Sequence, residues 1–326
     1  MLDFQKIPRV ENYKFYLEAA FAAARKKGGQ VKIQGRPEPF DKQKQIDAQK
    51  IDTVGGRLNS SLGKVLHAFP SIDSLPVFHR ELIRAMLDWG QLKKSLGAID
   101  WVLKKVSFFQ RFYSKKMRES RNRSQLSQHR NEFYGRISSI LKQINPELSY
   151  LENARKTFRQ FPVIREGLKN VVIIGFPNVG KTTLMSKLTT STPEIEAYPF
   201  TTKNINVAYI KTDSGDIQLL DVPGALNRGT KMNVIEMQAF LALKYLADCV
   251  VYVFDLTEQY PLSDQIKLYH QVKAERKDII VYISKSDILD PEEIERFEIR
   301  GETSIEKLKD KIEKFISSLE PAPAAQ

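Results

Sequence analysis

The chain has 326 residues, enough for two domains, and its 51 Lys and Arg against 39 Asp and Glu give a formal charge of +12, a balance suited to a polyanionic partner. Cys249 is the single cysteine and lies in an apolar stretch, and the four histidines (His67, His79, His129, His270) have no ligand spacing. Disulfides and cysteine-based metal sites are thereby excluded, and a buried structural thiol is expected. No apolar run approaches the roughly 20 residues of a membrane span, and the opening Met-Leu-Asp-Phe-Gln-Lys has no signal-peptide core, so a cytoplasmic location is expected.

The first half reads as mostly helix. Leu17 to Lys27 is alanine-rich and ends at Gly28-Gly29; residues 30 to 56, polar and glycine-containing, are expected to be a loop or mobile segment. Longer helices are predicted over Leu75 to Leu96 and Ile99 to Lys116, Pro146 and Pro162 punctuate the last two, and a lead-in helix at 147 to 161 ends just before the first strand. That short spacing predicts firm docking of the helical domain on the second half of the chain.

Charge separates the halves more plainly than any linker: residues 1 to 169 hold 33 basic against 16 acidic side chains, residues 170 to 326 hold 18 against 23. The densest basic part carries Lys104, Lys105, Arg111, Lys115, Lys116, Arg118, Arg121, Arg123, Arg130 and Arg136, opposed only by Glu119 and Glu132. These ten are the candidate RNA contacts. Aromatics lie among them at Phe108, Phe109, Phe112, Tyr113, Phe133 and Tyr134. Val102, Val106, Phe109 and Tyr113, and Ile137, Leu141 and Ile144, recur at helical spacing, so most of the aromatics are expected in a helical core. Contact with RNA is then expected to be mainly to phosphates.

In the second half, apolar strands at 170 to 175, 204 to 210, 216 to 221, 249 to 255 and 278 to 284, with a weaker one at 296 to 300, alternate with helices. This is an α/β, Ras-like doubly wound sheet with one antiparallel edge strand, preceded by an all-α domain. The expected division is a basic helical domain at 1–168, a nucleotide-binding domain at 169–319 and a disordered Pro-Ala tail at 320–326.

Gly175-Phe-Pro-Asn-Val-Gly180-Lys181-Thr182 follows the apolar run Val171 to Ile174 and opens a helix-forming stretch, the context of a P-loop. Its glycines let backbone N–H groups turn around a polyphosphate, Lys181 reaches the β/γ oxygens, and Thr182 offers a hydroxyl to Mg²⁺. Asp221-Val-Pro-Gly224 ends the next strand-like run and has the form that holds Mg²⁺ by a carboxylate and the γ-phosphate by a glycine N–H. Ser284-Lys285-Ser286-Asp287 ends a further apolar run; there Asp287 can accept from guanine N1–H and its 2-amino group, a donor pair adenine lacks. GTP is favoured over ATP. Many GTPases place Asn at the first position of this loop, and Ser284 is too short to reproduce every amide contact. The candidate GTP contacts are Gly175, Pro177, Asn178, Val179, Gly180, Lys181, Thr182, Thr183, Asp221, Gly224, Ser284, Lys285 and Asp287. Between the motifs, the threonines of Tyr198-Pro-Phe-Thr-Thr202 could supply a second hydroxyl to Mg²⁺.

These residues resemble the Nog-type branch of Obg-related GTPases, the nucleolar GTP-binding proteins, in a short form such as archaea carry. The resemblance rests on residues 175 to 182, Pro193-Glu-Ile with Tyr-Pro-Phe-Thr-Thr-Lys at 198 to 203, Asp-Val-Pro-Gly at 221 to 224 and Asn233-Val-Ile-Glu-Met-Gln-Ala239. Upstream it extends to Tyr134-Gly-Arg-Ile-Ser-Ser-Ile-Leu-Lys-Gln-Ile144 and Ala154-Arg-Lys-Thr-Phe-Arg-Gln-Phe-Pro-Val-Ile164. It implies a ribosome-associated GTPase of large-subunit assembly that switches with its nucleotide. It also implies Thr182, Thr202 and Asp221 at Mg²⁺ and Lys285 and Asp287 at guanine; the candidate catalytic set is Asn178, Lys181, Thr202 and Gly224. The last base-contacting loop is weakly marked, around Phe297 to Ser304.

Ala225 follows Asp-x-x-Gly where Ras-type GTPases have Gln and cannot orient a water, so slow unaided hydrolysis is expected unless a partner or an ion supplies the missing group. In related GTPases an Asn at the position of Asn178 goes with a bound K⁺ that supplies transition-state charge; alternatively Asn178 only caps the loop. Two other readings stand beside the switch, an RNA- or ribosome-binding module with a structural nucleotide and an ATP-using Obg relative. Nothing in the sequence demands more than a monomer.

Overall fold

Helices begin where the sequence supplies caps. Asn12 accepts a hydrogen bond from the Phe15 N–H at 3.0 Å and starts α1 (Tyr13–Gly28), and Pro39 opens α2 (Pro39–Ala68). Both satisfy or dispense with first-turn N–H groups that have no partner inside a helix. After the short α3 (Val77–Met86), the chain restarts as α4 (Trp89–Glu119) because Asp88 accepts from the Gln91 N–H at 2.9 Å. Asn122 caps α5 (Arg123–Gln143) in the same way, and Pro146 lies in the first turn of α6 (Asn145–Phe158). The structure, a computed structural model, describes residues 4–29, 38–189, 205–212, 215–222, 234–257, 260–276 and 278–319.

Several expectations are corrected here. Residues 39 to 56, read as loop, form the first half of α2. Ile51, Val54, Leu58, Leu62 and Val65 recur at three and four residues and are all buried, so packing outweighs the intrinsic cost of Gly55, Gly56 and Gly63, about 1 kcal/mol each. Gly55 has a positive reason as well: a Cβ there would run into the side chain of Gln110 on α4, so the glycine lets the two helices approach. The helix expected over Leu75 to Leu96 is two, broken before the Asp88 cap, and the one expected over Ile99 to Lys116 is the middle of α4.

A five-stranded sheet holds β1 (Lys169–Ile174), β2 (Asn206–Thr212), β3 (Gly215–Asp221), β4 (Cys249–Asp255) and β5 (Ile279–Ser284) in the order β2-β3-β1-β4-β5. Only β2 runs antiparallel, and it forms an edge. The central strands are almost continuously apolar because helices cover both faces. On one face α7 (Lys181–Leu188) and α11 (Ile305–Ser318) bury Leu184, Leu188, Leu308 and Ile312 against Ile173, Leu219 and Val251. On the other, α9 (Leu262–Glu275) sets Tyr269 against Tyr252 and Phe254. Cys249 is buried in β4, and burial pushes its thiol up to about 12. The weak strand expected at 296 to 300 is not one: α10 (Pro291–Arg296) occupies its start, and pairing shrinks to one parallel bridge between Tyr282 and Glu302. The Pro-Ala tail from 320 lies outside the described residues.

Packing divides the chain into two compact units that do not follow one cut in the sequence. One unit is Phe4–Ser74 with Leu87–Arg159; the other joins Leu75–Met86 to the residues from Gln160 onward. Helix α3, expected in the helical domain, therefore belongs with the sheet. There it packs on α8 (Val234–Tyr245), with Phe78, Leu82 and Ile83 of α3 and Ala239 and Ala242 of α8 buried, and the Gln238 amide donates to Met86 Sδ at 3.9 Å.

Candidate nucleotide site and basic helical face

The loop after β1 is built for close approach. A Cβ on Gly175 would stand 2.5 Å from the Val253 carbonyl oxygen, so only glycine lets the chain leave β1 beside β4. Asn178 (φ 61°) and Gly180 (φ 88°) are left-handed, and such alternation turns consecutive N–H groups to one side. Pro177 and Asn178 stand exposed at the loop tip, Val179 is buried beneath it, and the side chain of Asn178 caps nothing among the described residues. Lys181 and Thr182 open α7, with the Leu184 N–H bonded to the Gly180 carbonyl at 2.8 Å; Thr183 beside them is exposed. Lys181 is 9% exposed, and its ammonium donates to the Phe176 carbonyl at 2.7 Å. Burial lowers its pKa, and the charge of Asp221 opposes that. A desolvated cation among backbone donors at a helix N-terminus suits a polyphosphate.

Thr182 and Asp221 meet. The Thr182 hydroxyl donates to Asp221 Oδ2 at 2.7 Å, and the Asn206 amide reaches the same oxygen at 3.2 Å. Sheet register brings Asp221 to the loop, since it pairs with Ile173 on one side and Asn206 on the other. A hydroxyl and a carboxylate converging from separate elements are the hard oxygen donors that Mg²⁺ takes, so these residues fit the ion. Thr202, Gly224 and Ala225 lie outside the described residues.

The second loop adjoins the first. A Cβ on Gly180 would come within 3.8 Å of Ser284 Cβ, so the phosphate and base loops share a wall. Ser284, buried, donates its hydroxyl to the Phe254 carbonyl at 3.0 Å and ties β5 to β4. Lys285 is left-handed (φ 54°), and its ammonium lies 2.6 Å from Asp255 Oδ2. Asp255 is 2% exposed. Burial is the largest influence on its carboxyl and would raise the pKa, but hydrogen bonds from Lys285 and from the hydroxyl and N–H of Thr257 hold it below the usual carboxylate range. Gln265 brackets the Asp255 backbone, accepting from its N–H at 3.0 Å and donating to its carbonyl at 2.8 Å. Asp287 is exposed beyond this anchor, and Ser286 donates to the Thr303 carbonyl at 3.5 Å, which sets the weakly marked 297–304 segment beside the base loop. Sequence reasoning missed Asp255 and Asn206. The signal for Asp255 was present, because it ends an apolar run as Asp221 does.

Residues 4–165 match the model of the NOG1 N-terminal helical domain, and residues 170–285 match that of the 50S ribosome-binding GTPase. An uncharacterized protein of Methanocaldococcus jannaschii is 36% identical over 298 residues, 89% of this chain and 83% of that protein. The chain belongs to the Nog family of GTP-binding proteins. The nucleolar GTP-binding protein 1 of Saccharomyces cerevisiae is 32% identical over 252 residues, 76% of this Nog chain and 39% of the yeast protein. Against the eukaryotic relatives the chain thus spans less than half of their length. The G domain of the FeoB iron transporter of T. maritima is a further match, 24% identical over 46% of this chain and 99% of that one, with a TM-score of 0.37. Among the described residues no helix is long and apolar enough to cross a membrane.

In this Nog chain the basic candidates gather on α4 and α5. Lys104, Lys105, Arg111, Lys115 and Arg118 are exposed and Lys116 half-buried on α4, Arg121 is exposed in the turn, and Arg123 and Arg136 are exposed on α5. Two carry surface ion pairs, Lys104 with Asp100 at 2.6 Å and Lys115 with Glu119 at 3.8 Å, which are too weak in water to withhold them from a ligand. Arg130 is a correction: one guanidinium nitrogen donates to both oxygens of the buried Asp47 at 3.1 Å, so it neutralises a carboxylate inside the helical unit. The aromatics also divide. Val102, Val106, Tyr113, Phe133 and Ile137 are core, as their spacing requires, and Phe109 is partly covered with Arg136 5.6 Å from its ring centre. Phe108 and Phe112, which lie off the helical repeat that set the core, are on the surface at 52% and 44% exposure.

Proposed function

We propose that the protein is a GTP-hydrolysing switch of large ribosomal subunit assembly that docks on ribosomal RNA or a pre-ribosomal particle through its basic helical half. The observation that carries this reading is the meeting of Thr182 and Asp221 beside Lys181, in a chain whose other half is strongly basic. The description of the second family model as a ribosome-binding GTPase and the nucleolar names of relatives support the ribosomal target.

In this reading Thr182 and Asp221, with Thr202, hold Mg²⁺, which neutralises phosphate charge when bound. The N–H groups of Asn178 to Thr182 and the Lys181 ammonium fix the β- and γ-phosphates, and the Gly224 N–H responds to the γ-phosphate. Pro177, Val179 and Thr183 shape the loop around these contacts. Asp287 reads guanine from a loop held in place by the Lys285–Asp255 pair and by Ser284. With Ala225 in place of a water-orienting side chain, turnover is slow alone, and Asn178 at the exposed loop tip takes part in a K⁺ site that speeds it.

Co-sedimentation with ribosomal particles at constant salt, with a GTP analogue, GDP, an ATP analogue or no nucleotide, tests the proposal. Stronger binding to the large subunit or its precursor with the GTP analogue than with GDP is the expected result. Equal binding in all four conditions points to a static RNA module, and binding promoted by the ATP analogue to an ATP-using relative.

A further inference from the structure

The outward face of α4 carries aromatic rings that the helical core does not use. Trp101, Phe108 and Phe112 are 37%, 52% and 44% exposed. At about 100° per residue they fall within ~40° of one another around the helix axis, while Ile99, Val102, Val106, Tyr113 and Met117 occupy the opposite, buried side. The rings of Phe108 and Phe112 are stacked, with planes 17° apart and centroids 6.1 Å apart. Cations interleave with them on the same face: the Lys105 ammonium lies 6.0 Å from the Trp101 ring centre, the Lys116 ammonium 5.4 Å from the Phe112 ring centre, and Lys104 and Lys115 flank the row.

Large rings are costly to leave in water, and a solvated basic face does not need them. Charge decides the occupant. In a unit where Lys and Arg outnumber acids about two to one, an apolar row fenced by ammonium groups repels basic or charge-balanced protein surfaces and suits a polyanion with flat apolar faces. Unpaired nucleotides combine phosphates for the lysines with bases for the rings, whereas the stacked bases of a duplex are closed to side-chain stacking.

We propose that Trp101, Phe108 and Phe112 on α4 form a stacking platform for unpaired bases of RNA, with Lys104, Lys105 and Lys115 following the adjacent phosphates. This rests on the RNA-docking reading above and deepens it: the face selects single-stranded segments rather than reading duplex shape through phosphates alone.

The test is fluorescence anisotropy of the full chain, nucleotide-free and with GDP, against a labelled unstructured 12-nucleotide RNA and a blunt 12-base-pair RNA duplex over a salt series. The wild type is expected to prefer the single strand. Phe108→Ala and Phe112→Ala each weaken single-strand binding roughly tenfold, leave duplex binding unchanged and leave the salt slope unchanged. Phe108→Leu and Phe112→Leu, which keep most of the apolar area, weaken single-strand binding as the alanine variants do, and Phe108→Trp keeps the wild-type affinity. Lys105→Ala with Lys115→Ala weakens both RNAs and lowers the single-strand salt slope by about 1.4. No single-strand preference in the wild type, or equal losses on both RNAs in the phenylalanine variants, overturns the platform and leaves the row to a protein partner. Because this assay uses neither GTP nor ribosomes, its failure is distinct from a failure of nucleotide-gated co-sedimentation.

Discussion

His79 gives the sharpest prediction about stability. It sits on α3, 2% exposed, with the Phe78 ring centre 5.1 Å away. Burial pushes its imidazole down to about 4 against an ordinary 6.5, with the Pro162 backbone opposing. The sign depends on which state binds the proton. Below pH 6.5 the unfolded chain takes one up and the folded unit does not, so stability present above 6.5 is lost as pH falls towards 4. At about 1.36 kcal/mol per pH unit the whole loss is about 3 kcal/mol, of which about 2 kcal/mol has gone by pH 5. His79→Leu removes the titration. The assay is urea unfolding of both proteins at pH 8 and pH 5. Trp89 and Trp101 both lie in the helical unit, so their fluorescence reports the wrong unit. Cys249, buried in β4, reports the right one through its reactivity with a pyridyl disulfide, which reacts at acid pH. The wild type should lose about 2 kcal/mol more than the variant between the two pH values, and groups common to both cancel. Parallel losses would refute the reasoning, because they would mean that the imidazole titrates as if in water.

Gly175→Ala should abolish measurable GTP binding in a calorimetric titration, because its Cβ would stand 2.5 Å from the Val253 carbonyl oxygen; retained affinity would show that β1 and β4 can separate freely. Asp255→Asn should weaken GDP and GTP binding equally, by about tenfold, since the lost ion pair positions Lys285 rather than touching phosphate, and a selective loss of GTP would count against that role. Arg130→Ala should destabilise the helical unit by about 2–3 kcal/mol, read by tryptophan fluorescence, while leaving the salt slope of RNA binding intact, because its partner is Asp47. GTP hydrolysis should be faster in K⁺ than in Na⁺ at fixed Mg²⁺, and equal rates would remove the K⁺ role assigned to Asn178.

What the sequence revealed tracks how local each signal is. Gly175 to Thr182 carries its own geometry, since a strand, two left-handed residues and a helix start lie within eight residues. Asp221 could be placed because strand ends align in a parallel sheet. The Lys285–Asp255 pair was hidden, since it depends on the register that sets Asp255 opposite Ser284. Helix α2 was obscured by Gly55, Gly56 and Gly63, whose cost is outweighed by packing against α4 that no local window contains. Phe108 and Phe112 sit one residue before the partly covered Phe109 and the buried Tyr113 of the same repeat. Periodicity identifies a core stripe there but gives no reason for rings beside it.

The placement of α3 sets an order of events during synthesis. Its packing partner α8 begins about 150 residues after α3 ends. At roughly 5–20 residues per second, α3 emerges on the order of ten seconds before the surface it will cover. Through that interval Phe78, Leu82 and Ile83 have no native partner on α8, although the helices on either side of α3 in sequence can already begin to pair. Until α8 arrives, the apolar stripe of this amphipathic helix is open to chaperones and to misplacement against other apolar surfaces.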